Sequence, residues 1–305
     1  MGKNGKTITR RDFIRGTAFK AVGTACGLLA ADQLVRGSLG LTSQALANST
    51  ATSKVILVRD HDVFNHQGQV NPRVLGSMLE RGLEALTGRS KAALAWQSLF
   101  YPEDKVGIKS SSNMMPTNPA LVEILANKVE RAGVSFLNIK KDDKNAYSSF
   151  KECNALINVP GLKTHWLSGI AAAIKNYINL TMVPNLYHSD SCAHLGKVWQ
   201  KPQVKGKTRL IVVDALKVLF NGGPQVDPRY TWNYRGLVLG TDPVAVDMVC
   251  LQIIQAKRSD YKKEFWPISP PPKYIELADK MYDLGNSDLG KIELVKLGWE
   301  DEILI

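Results

Sequence analysis

The sequence predicts an α/β fold with a doubly wound, mostly parallel sheet, helices on both faces and a small C-terminal appendage. Short apolar runs, such as residues 54–59 and 155–159, have the length and the β-branched content of buried strands. Stretches with one apolar helical face, such as residues 119–132, separate several of these runs. Strands that alternate with helices are joined by right-handed crossovers, which place neighbouring strands parallel.

Capping residues fix the first elements. Two helices begin with an asparagine followed by proline, at Asn71 and Asn118, and end near Gly88 and Gly133. Three strands are predicted around them, at residues 54–59, 106–109 and 134–139.

The later elements follow from the same patterns. Pro160-Gly161 ends the strand at residues 155–159, and a helix rich in small residues is predicted at 168–179. Further strands are expected at residues 209–213, 236–240 and 292–297, and further helices at residues 244–256 and 274–284. Residues 48–257 therefore form the α/β domain, and residues 258–305 form a C-terminal appendage packed on the same domain.

The first 47 residues have the features of an export signal. Residues 9–14 (TRRDFI) resemble a twin-arginine motif, a mildly apolar stretch follows at 17–31, and residues 45–47 (ALA) form a small-x-small cleavage site. The apolar stretch is too short to span a membrane. A cytosolic chain with a basic first helix is the alternative. The order of the three features favours export by the twin-arginine machinery, cleavage near Ala47 and a periplasmic or extracytoplasmic protein with no transmembrane anchor in the mature chain.

Charge and cysteine content narrow the partners and cofactors. Nearly half of the basic excess lies in the signal, and residues 48–305 keep 32 basic and 26 acidic residues without a long Lys/Arg run. This pattern argues against a nucleic-acid partner and is compatible with a small anionic ligand or an acidic protein surface. The cysteines after the signal, Cys153, Cys192 and Cys250, are too few for an intrinsic four-cysteine iron–sulfur cluster. One pair could form a disulfide in an oxidising compartment.

The polar residues that can carry chemistry concentrate between residues 154 and 194. Three of the five histidines lie there, together with Lys163 and Lys175, just beyond a predicted buried strand. Ligands in open α/β sheets bind at the carboxyl ends of the strands. Neutral imidazole can transfer protons and can ligate transition metals. The predicted catalytic residues are His165, Lys163 and Lys175.

Neighbouring residues complete the predicted site. The predicted cofactor-binding residues are Lys175, Gly169, Asn176, Ser111 and Asn113. The predicted metal ligands are His188, His194 and Asp214. For Asp214, which follows the strand at 209–213, Asx-type capping of a turn at residues 215–219 is an equal alternative. Cys192 lies between His188 and His194, so among the cysteines it alone is placed to ligate a metal.

Several motifs resemble the domain-of-unknown-function 362 family, in order from about Val55 to Gln255. They are KVGIKSSSNMMP, TNPALVEILANKVERAG, NALINVPGLKTHWLSGIAAAIKN, LIVVDAL…NGGP and GLVLGTDPVAVD. Many members of that family also carry a ferredoxin module, which implies redox chemistry for some of them. That module is absent from this sequence.

A weaker resemblance concerns mechanism. His165, Gly169 and Lys175 have a spacing similar to that of lactate racemase-type proteins, which hold a nickel-pincer nucleotide. The resemblance implies that Lys175 anchors a metal-containing cofactor, that His165 acts as an acid or base, and that His188 or His194 ligates the metal.

Two functions are therefore predicted. The first is an exported protein that binds a metal or metal-containing cofactor and acts as a periplasmic enzyme on a small anionic substrate. The second is a non-catalytic subunit or accessory protein of a periplasmic redox complex that contains a cytochrome or an iron–sulfur protein.

Overall fold

The computed structural model describes residues 52–305, which belong to one compact unit. The predicted twin-arginine signal and the cleavage site near Ala47 lie outside these residues. Within the described part of the chain, no helix has the length and hydropathy needed to cross a membrane.

A single sheet runs through the described residues, in the order β10-β1-β9-β7-β4-β2-β3, with β5, β6 and β8 attached beside β7. Its strands are β1 (Ser53–Arg59), β2 (Val106–Ser110), β3 (Ile139–Asp142), β4 (Ala155–Val159), β5 (Gly161–His165), β6 (Gly169–Ala171), β7 (Thr208–Leu219), β8 (Thr231–Trp232), β9 (Gly236–Gly240) and β10 (Ile292–Gly298).

Helices cover both faces of this sheet. They are α1 (Pro72–Thr87), α2 (Ala92–Gln97), α3 (Pro119–Arg131), α4 (Ala146–Ser149), α5 (Ala173–Asn176), α6 (Ser189–Cys192), α7 (Gly196–Trp199), α8 (Pro243–Lys262) and α9 (Lys273–Lys280). The predicted caps are confirmed: the side chains of Asn71 and Asn118 accept hydrogen bonds from the first turns of α1 and α3.

The predicted α/β class is confirmed, and the sheet is mixed but mostly parallel. Strands β2, β3, β4 and β7 run parallel in one block, and β10 is parallel to β1. Strand β9 is antiparallel to both β1 and β7. One apolar core packs α1, α2 and α3 on one face, and a second core packs α8, α9 and the short helices on the other.

The helix predicted at residues 168–179 is wrong. Gly169 has a left-handed φ of 78°, and β6 pairs antiparallel with β5. Helix α5 begins only at Ala173 and is followed by a 3₁₀ turn, Tyr177–Leu180. The backbone pairing of β6 with β5 displaces the helical alternative, which small residues alone would permit.

Two strand predictions also change. The strand predicted at 134–139 begins at Ile139, because a 3₁₀ turn occupies Phe136–Asn138. The strand predicted at 209–213 runs on to Leu219, since β5, β8 and β9 all supply hydrogen-bond partners along it. Asp214 therefore lies within a central strand and not at its end.

Candidate functional site

The predicted site lies at the carboxyl edge of the parallel block. Strand β2 ends at Ser110, and β4 ends at Val159 in register with it. The chain passes through Pro160 and continues as β5, which pairs with the far half of β7. The polar segment Lys163-Thr164-His165 is thus part of a strand and not of a loop. Residues that follow different strands meet at this edge, as in other open α/β sheets.

A buried ion pair forms one side of the site. Lys109, at the end of β2, donates to Asp143 Oδ1 at 2.5 Å and to the Ser110 carbonyl at 2.7 Å. Burial alone would raise the pKa of Asp143, but the Lys109 ammonium and the donors of Ser112 lower it to about 2. Burial lowers the pKa of Lys109 in spite of Asp143. Asp143 is therefore ionised at neutral pH.

Two asparagines connect this pair to α5. Asn176 Nδ2 donates to the Lys109 carbonyl at 3.0 Å and to Asn158 Oδ1 at 2.8 Å, and its Oδ1 accepts from Lys109 Nζ at 3.3 Å. Asn158 in turn donates to the Ala173 carbonyl at 2.8 Å. The predicted cofactor residue Asn176 is thus engaged by protein groups and fixes α5 against β2 and β4.

Lys163 lies at the same edge, and no carboxylate of residues 52–305 lies within ion-pair distance of it. Its side chain is buried, and the residue is only 7% exposed. Its ammonium approaches the Ser111 hydroxyl at 3.3 Å and the carbonyls of Met115 and Gly161 at 3.4 Å. Burial is the main reason that its pKa falls to about 8. Lys163 can therefore gain or lose a proton near neutral pH.

Lys175 is the third buried lysine of the site and is 6% exposed. Its Nζ lies 3.7 Å from the sulfur of Cys192, which is fully buried. Burial lowers the pKa of Lys175, whereas burial raises the pKa of the Cys192 thiol. A thiol stabilises an ammonium much less than a carboxylate does, so Lys175 keeps the capacity to pair with an anion.

His165 is fixed in one tautomer. Its Nδ1 accepts a hydrogen bond from the backbone N–H of Leu167 at 3.1 Å, so in neutral imidazole the proton lies on Nε2. Burial and then the charge of Lys175 lower the pKa of His165 to about 3. At neutral pH this residue is an uncharged hydrogen-bond donor, and its Nε2 has no lone pair for a metal.

Charge interactions place these groups in one cluster. After burial, the charge of Lys175 does most to lower the pKa of His165, followed by the charges of His188 and Lys163. The pKa of His188 is lowered, first by burial and then by Lys175. These interactions link the three predicted catalytic residues with His188, a predicted metal ligand. We call Lys163, His165, Lys175 and His188 the cation cluster.

The other two predicted metal ligands, His194 and Asp214, have protein partners of their own. His194 Nδ1 is 2.9 Å from the Tyr282 hydroxyl, and Tyr282 lines a cavity of about 360 Å³ with Tyr187, Lys197 and Lys201. Asp214 accepts hydrogen bonds from the backbone N–H groups of Asn118 and Leu216.

Asp214 lines a different cavity, of about 370 Å³, with Asn118, Met115 and Gly161. Burial raises the pKa of Asp214. Residues 215–219 belong to β7, so the predicted turn that Asp214 would cap is wrong. Asp214 instead accepts from the N–H of Leu216 within β7 and from that of Asn118 at the start of α3.

The donor sets do not fit a protein-held metal. Within residues 52–305 no group of three or more His, Cys, Asp or Glu side chains is placed to hold an ion. Cys192 faces Lys175, and His194 faces Tyr282. The described residues thus form no set of metal ligands.

The remaining predicted contacts differ in character. Ser111 contacts Lys163, whereas Asn113 is exposed in the loop after β2. Gly169 is a predicted cofactor-binding residue, but a Cβ built there would lie 2.5 Å from the Pro270 carbonyl oxygen. The space beside Gly169 is therefore filled by the chain itself. In the polar loop after β1, Asp60 caps the 3₁₀ turn His61–Val63 and pairs with Arg81.

Asp247, on α8, supports the cation cluster through its contacts with α5. The residue is fully buried, and its carboxylate accepts from the N–H groups of Ala173 and Ile174 at 2.6 and 3.2 Å. The Tyr274 hydroxyl donates to it at 3.0 Å. Burial raises the pKa of Asp247 to about 7. This carboxylate anchors the first turn of α5, which carries Lys175.

Sequence reasoning missed Lys109, Asp143 and Asn158. Lys109 and Asn158 lie within predicted strands, where a polar residue in an apolar run was the available signal. Asp143 follows a strand whose bounds were misplaced. Cys153 is buried just before β4, and Cys250 is buried inside α8. The three described cysteines are free.

The fold and the site define a doubly wound α/β protein with a cationic site at the carboxyl edge of its sheet. Comparison with protein-family models matches residues 129–252 to the domain of unknown function DUF362. The matched segment contains the whole cation cluster. A search of the curated proteins found no match, and a search of the solved structures found none either.

Proposed function

We propose that this protein binds a small anion at the cation cluster and transfers a proton to or from it. The observation that supports this proposal is that Lys163 and Lys175 are buried and that neither pairs with a carboxylate among residues 52–305. An unpaired buried charge is destabilising, and a bound carboxylate or phosphate relieves that cost through charge-assisted hydrogen bonds.

The cluster divides the chemical roles. Lys163, with a pKa of about 8, is the group that exchanges a proton at neutral pH. His165, neutral with its proton on Nε2, donates a hydrogen bond to an oxygen on which negative charge develops. Lys175 holds the anionic group. His165 is therefore proposed as a hydrogen-bond donor and not as the base.

Anion titration tests the binding step. Calorimetric titration with acetate and with inorganic phosphate is expected to show one site per chain. Lys163→Met and Lys175→Met each remove one charged hydrogen-bond donor, so each weakens binding by roughly tenfold or more. Lys205→Met, in the loop before the amino end of β7, is the matched control and keeps the wild-type affinity. Equal affinity in all four proteins would refute the proposal.

Export is a second part of the proposal. Replacing Arg10-Arg11 by two lysines in the full chain is expected to leave the protein in the cytoplasm. Cell fractionation measures this, with the wild-type chain as the reference. An unchanged distribution would contradict a twin-arginine signal.

The accessory-subunit function stays a prediction. It requires that the chain co-purify from its host with a cytochrome or an iron–sulfur protein. Metal analysis of the same preparation tests the predicted metal-containing cofactor. If the preparation contains no metal and still binds acetate and phosphate, the cation cluster binds these anions without a metal-containing cofactor.

A further inference from the structure

Three segments that reach the cation cluster each carry large apolar side chains exposed to solvent. Met114 lies in the loop after β2, and the next residue of that loop contacts Lys163. Trp166 directly follows His165 in the turn between β5 and β6. The third segment ends at His188 and exposes Met182, Val183 and Leu186. We call these five apolar residues the apolar rim.

The exposure of the rim is large. Trp166 is 61% exposed, Met182 is 77% exposed and Leu186 is 71% exposed. Scattered exposed apolar residues are normal, but apolar side chains concentrated around one site mark a binding surface. The Met115 carbonyl accepts from Lys163, and Trp166 adjoins His165 at the end of the same strand, β5. The third segment continues past His188 to Cys192, whose sulfur lies 3.7 Å from Lys175 Nζ.

The two features select one class of ligand. A simple inorganic anion satisfies Lys163 and Lys175 but leaves the rim in water. A neutral apolar molecule covers the rim but leaves two buried ammonium groups unpaired. Only a molecule with an anionic head and an apolar chain complements both.

We infer that the ligand of the cation cluster is a free amphiphilic anion, a small molecule that joins a carboxylate or phosphate head to an apolar chain. This inference rests on the proposed function, because the head occupies the proposed anion site. Lys163 and Lys175 pair with the head, and the chain lies against Trp166 and Leu186.

Comparison of acetate with octanoate tests the inference. Octanoate has the same head and six additional methylenes, and each methylene that leaves water improves affinity by about fourfold. Calorimetry is therefore expected to show octanoate binding at least tenfold tighter than acetate. Octanol, with the chain but without the charge, is expected to bind more weakly than octanoate.

Rim variants locate the chain. Trp166→Ser and Leu186→Ser are expected to reduce the octanoate-to-acetate affinity ratio at least threefold while acetate binds as before. Leu137→Ser removes a side chain that is 73% exposed but lies before β3, at the opposite end of that strand from Asp143. This control keeps the wild-type ratio.

The outcomes separate the two proposals. If neither anion binds, the proposed function fails and this inference fails with it. If acetate binds through Lys163 and octanoate gains nothing, the inference alone is wrong. Cosedimentation with anionic phospholipid vesicles that persists in Lys163→Met and is lost in Leu186→Ser would assign the rim to a membrane surface and would also overturn the inference.

Discussion

Lys109 Nζ and Asp143 Oδ1 lie 2.5 Å apart, and the Lys109 side chain is completely buried. The pair joins the end of β2 to the residue after β3, and Asn176 of α5 and Asn179 of the following turn attach to it. Among residues 52–305, Lys163 and Lys175 have no carboxylate partner of this kind. This contrast divides the basic residues of the site into one structural lysine and two that can pair with a ligand.

Asp143→Asn is expected to lower the free energy of unfolding by about 3–5 kcal/mol, since it leaves the Lys109 charge buried without a partner. Urea denaturation measures the loss. Glu152→Gln breaks the pair of Glu152 with Lys105, whose side chains are 67% and 51% exposed, and is expected to change stability far less. Similar losses in the two variants would contradict a structural role for the buried pair.

His165 is expected to remain uncharged down to pH 5, because burial and Lys175 hold its pKa near 3. Nuclear magnetic resonance of ¹⁵N-labelled imidazole is expected to show the proton on Nε2, since Nδ1 accepts from Leu167. His61, exposed in the loop after β1, provides a second imidazole signal in the same spectra. A titration midpoint near pH 6.5 would refute the lowered pKa of His165. A proton on Nδ1 would refute the tautomer.

Lys163 is expected to make the ligand-free protein more stable as the pH rises from 8 to 10.5. Its folded pKa is about 8 and its ordinary value is 10.5, so in this window the unfolded chain binds more protons than the folded chain. The gain in unfolding free energy is up to about 3 kcal/mol. Lys163→Met is expected to remove this gain, whereas Lys205→Met keeps it. Chemical denaturation at successive pH values measures both, and an undiminished gain in Lys163→Met would assign it to other groups.

Asp247 acts in the opposite direction at lower pH. Its folded pKa is about 7 and its ordinary value is 3.8, so between these values the folded chain binds more protons. Stability from this group is therefore present below pH 4 and is lost as the pH rises through 7. Asp247→Asn is expected to flatten that part of the stability profile, and Asp190→Asn, on the surface beside Lys273, leaves it unchanged. Equal slopes in both variants would show that Asp247 does not titrate there.

Gly169→Ala is expected to destabilise the protein by about 2–4 kcal/mol. The left-handed φ of 78° disfavours any L side chain, and the new Cβ would lie 2.5 Å from the Pro270 carbonyl. Gly206→Ala is the matched control, because Gly206 has a φ of 72° and nothing within 4 Å. Thermal denaturation is expected to show the larger loss at Gly169. Equal losses would leave backbone conformation as the only cause.

Much of the architecture could be predicted because local rules govern it. Apolar runs located β1, β2, β4 and β9, and the Asn-Pro pairs located the first residues of α1 and α3. The misplaced elements are those whose residues permit two structures. Residues 168–172 could extend a helix on composition alone, and their pairing with β5 is a contact between different parts of the chain.

The sequence by itself determined the α/β class, the match of residues 129–252 to a family model and the place where basic and imidazole groups concentrate, because each depends on residues close together in the chain. Only the tertiary structure decided which of those groups have partners. Lys109 meets Asp143 across 34 positions and Asp247 reaches Ala173 across 74, so burial and pairing, which set the charge of each group, depend on how distant segments pack.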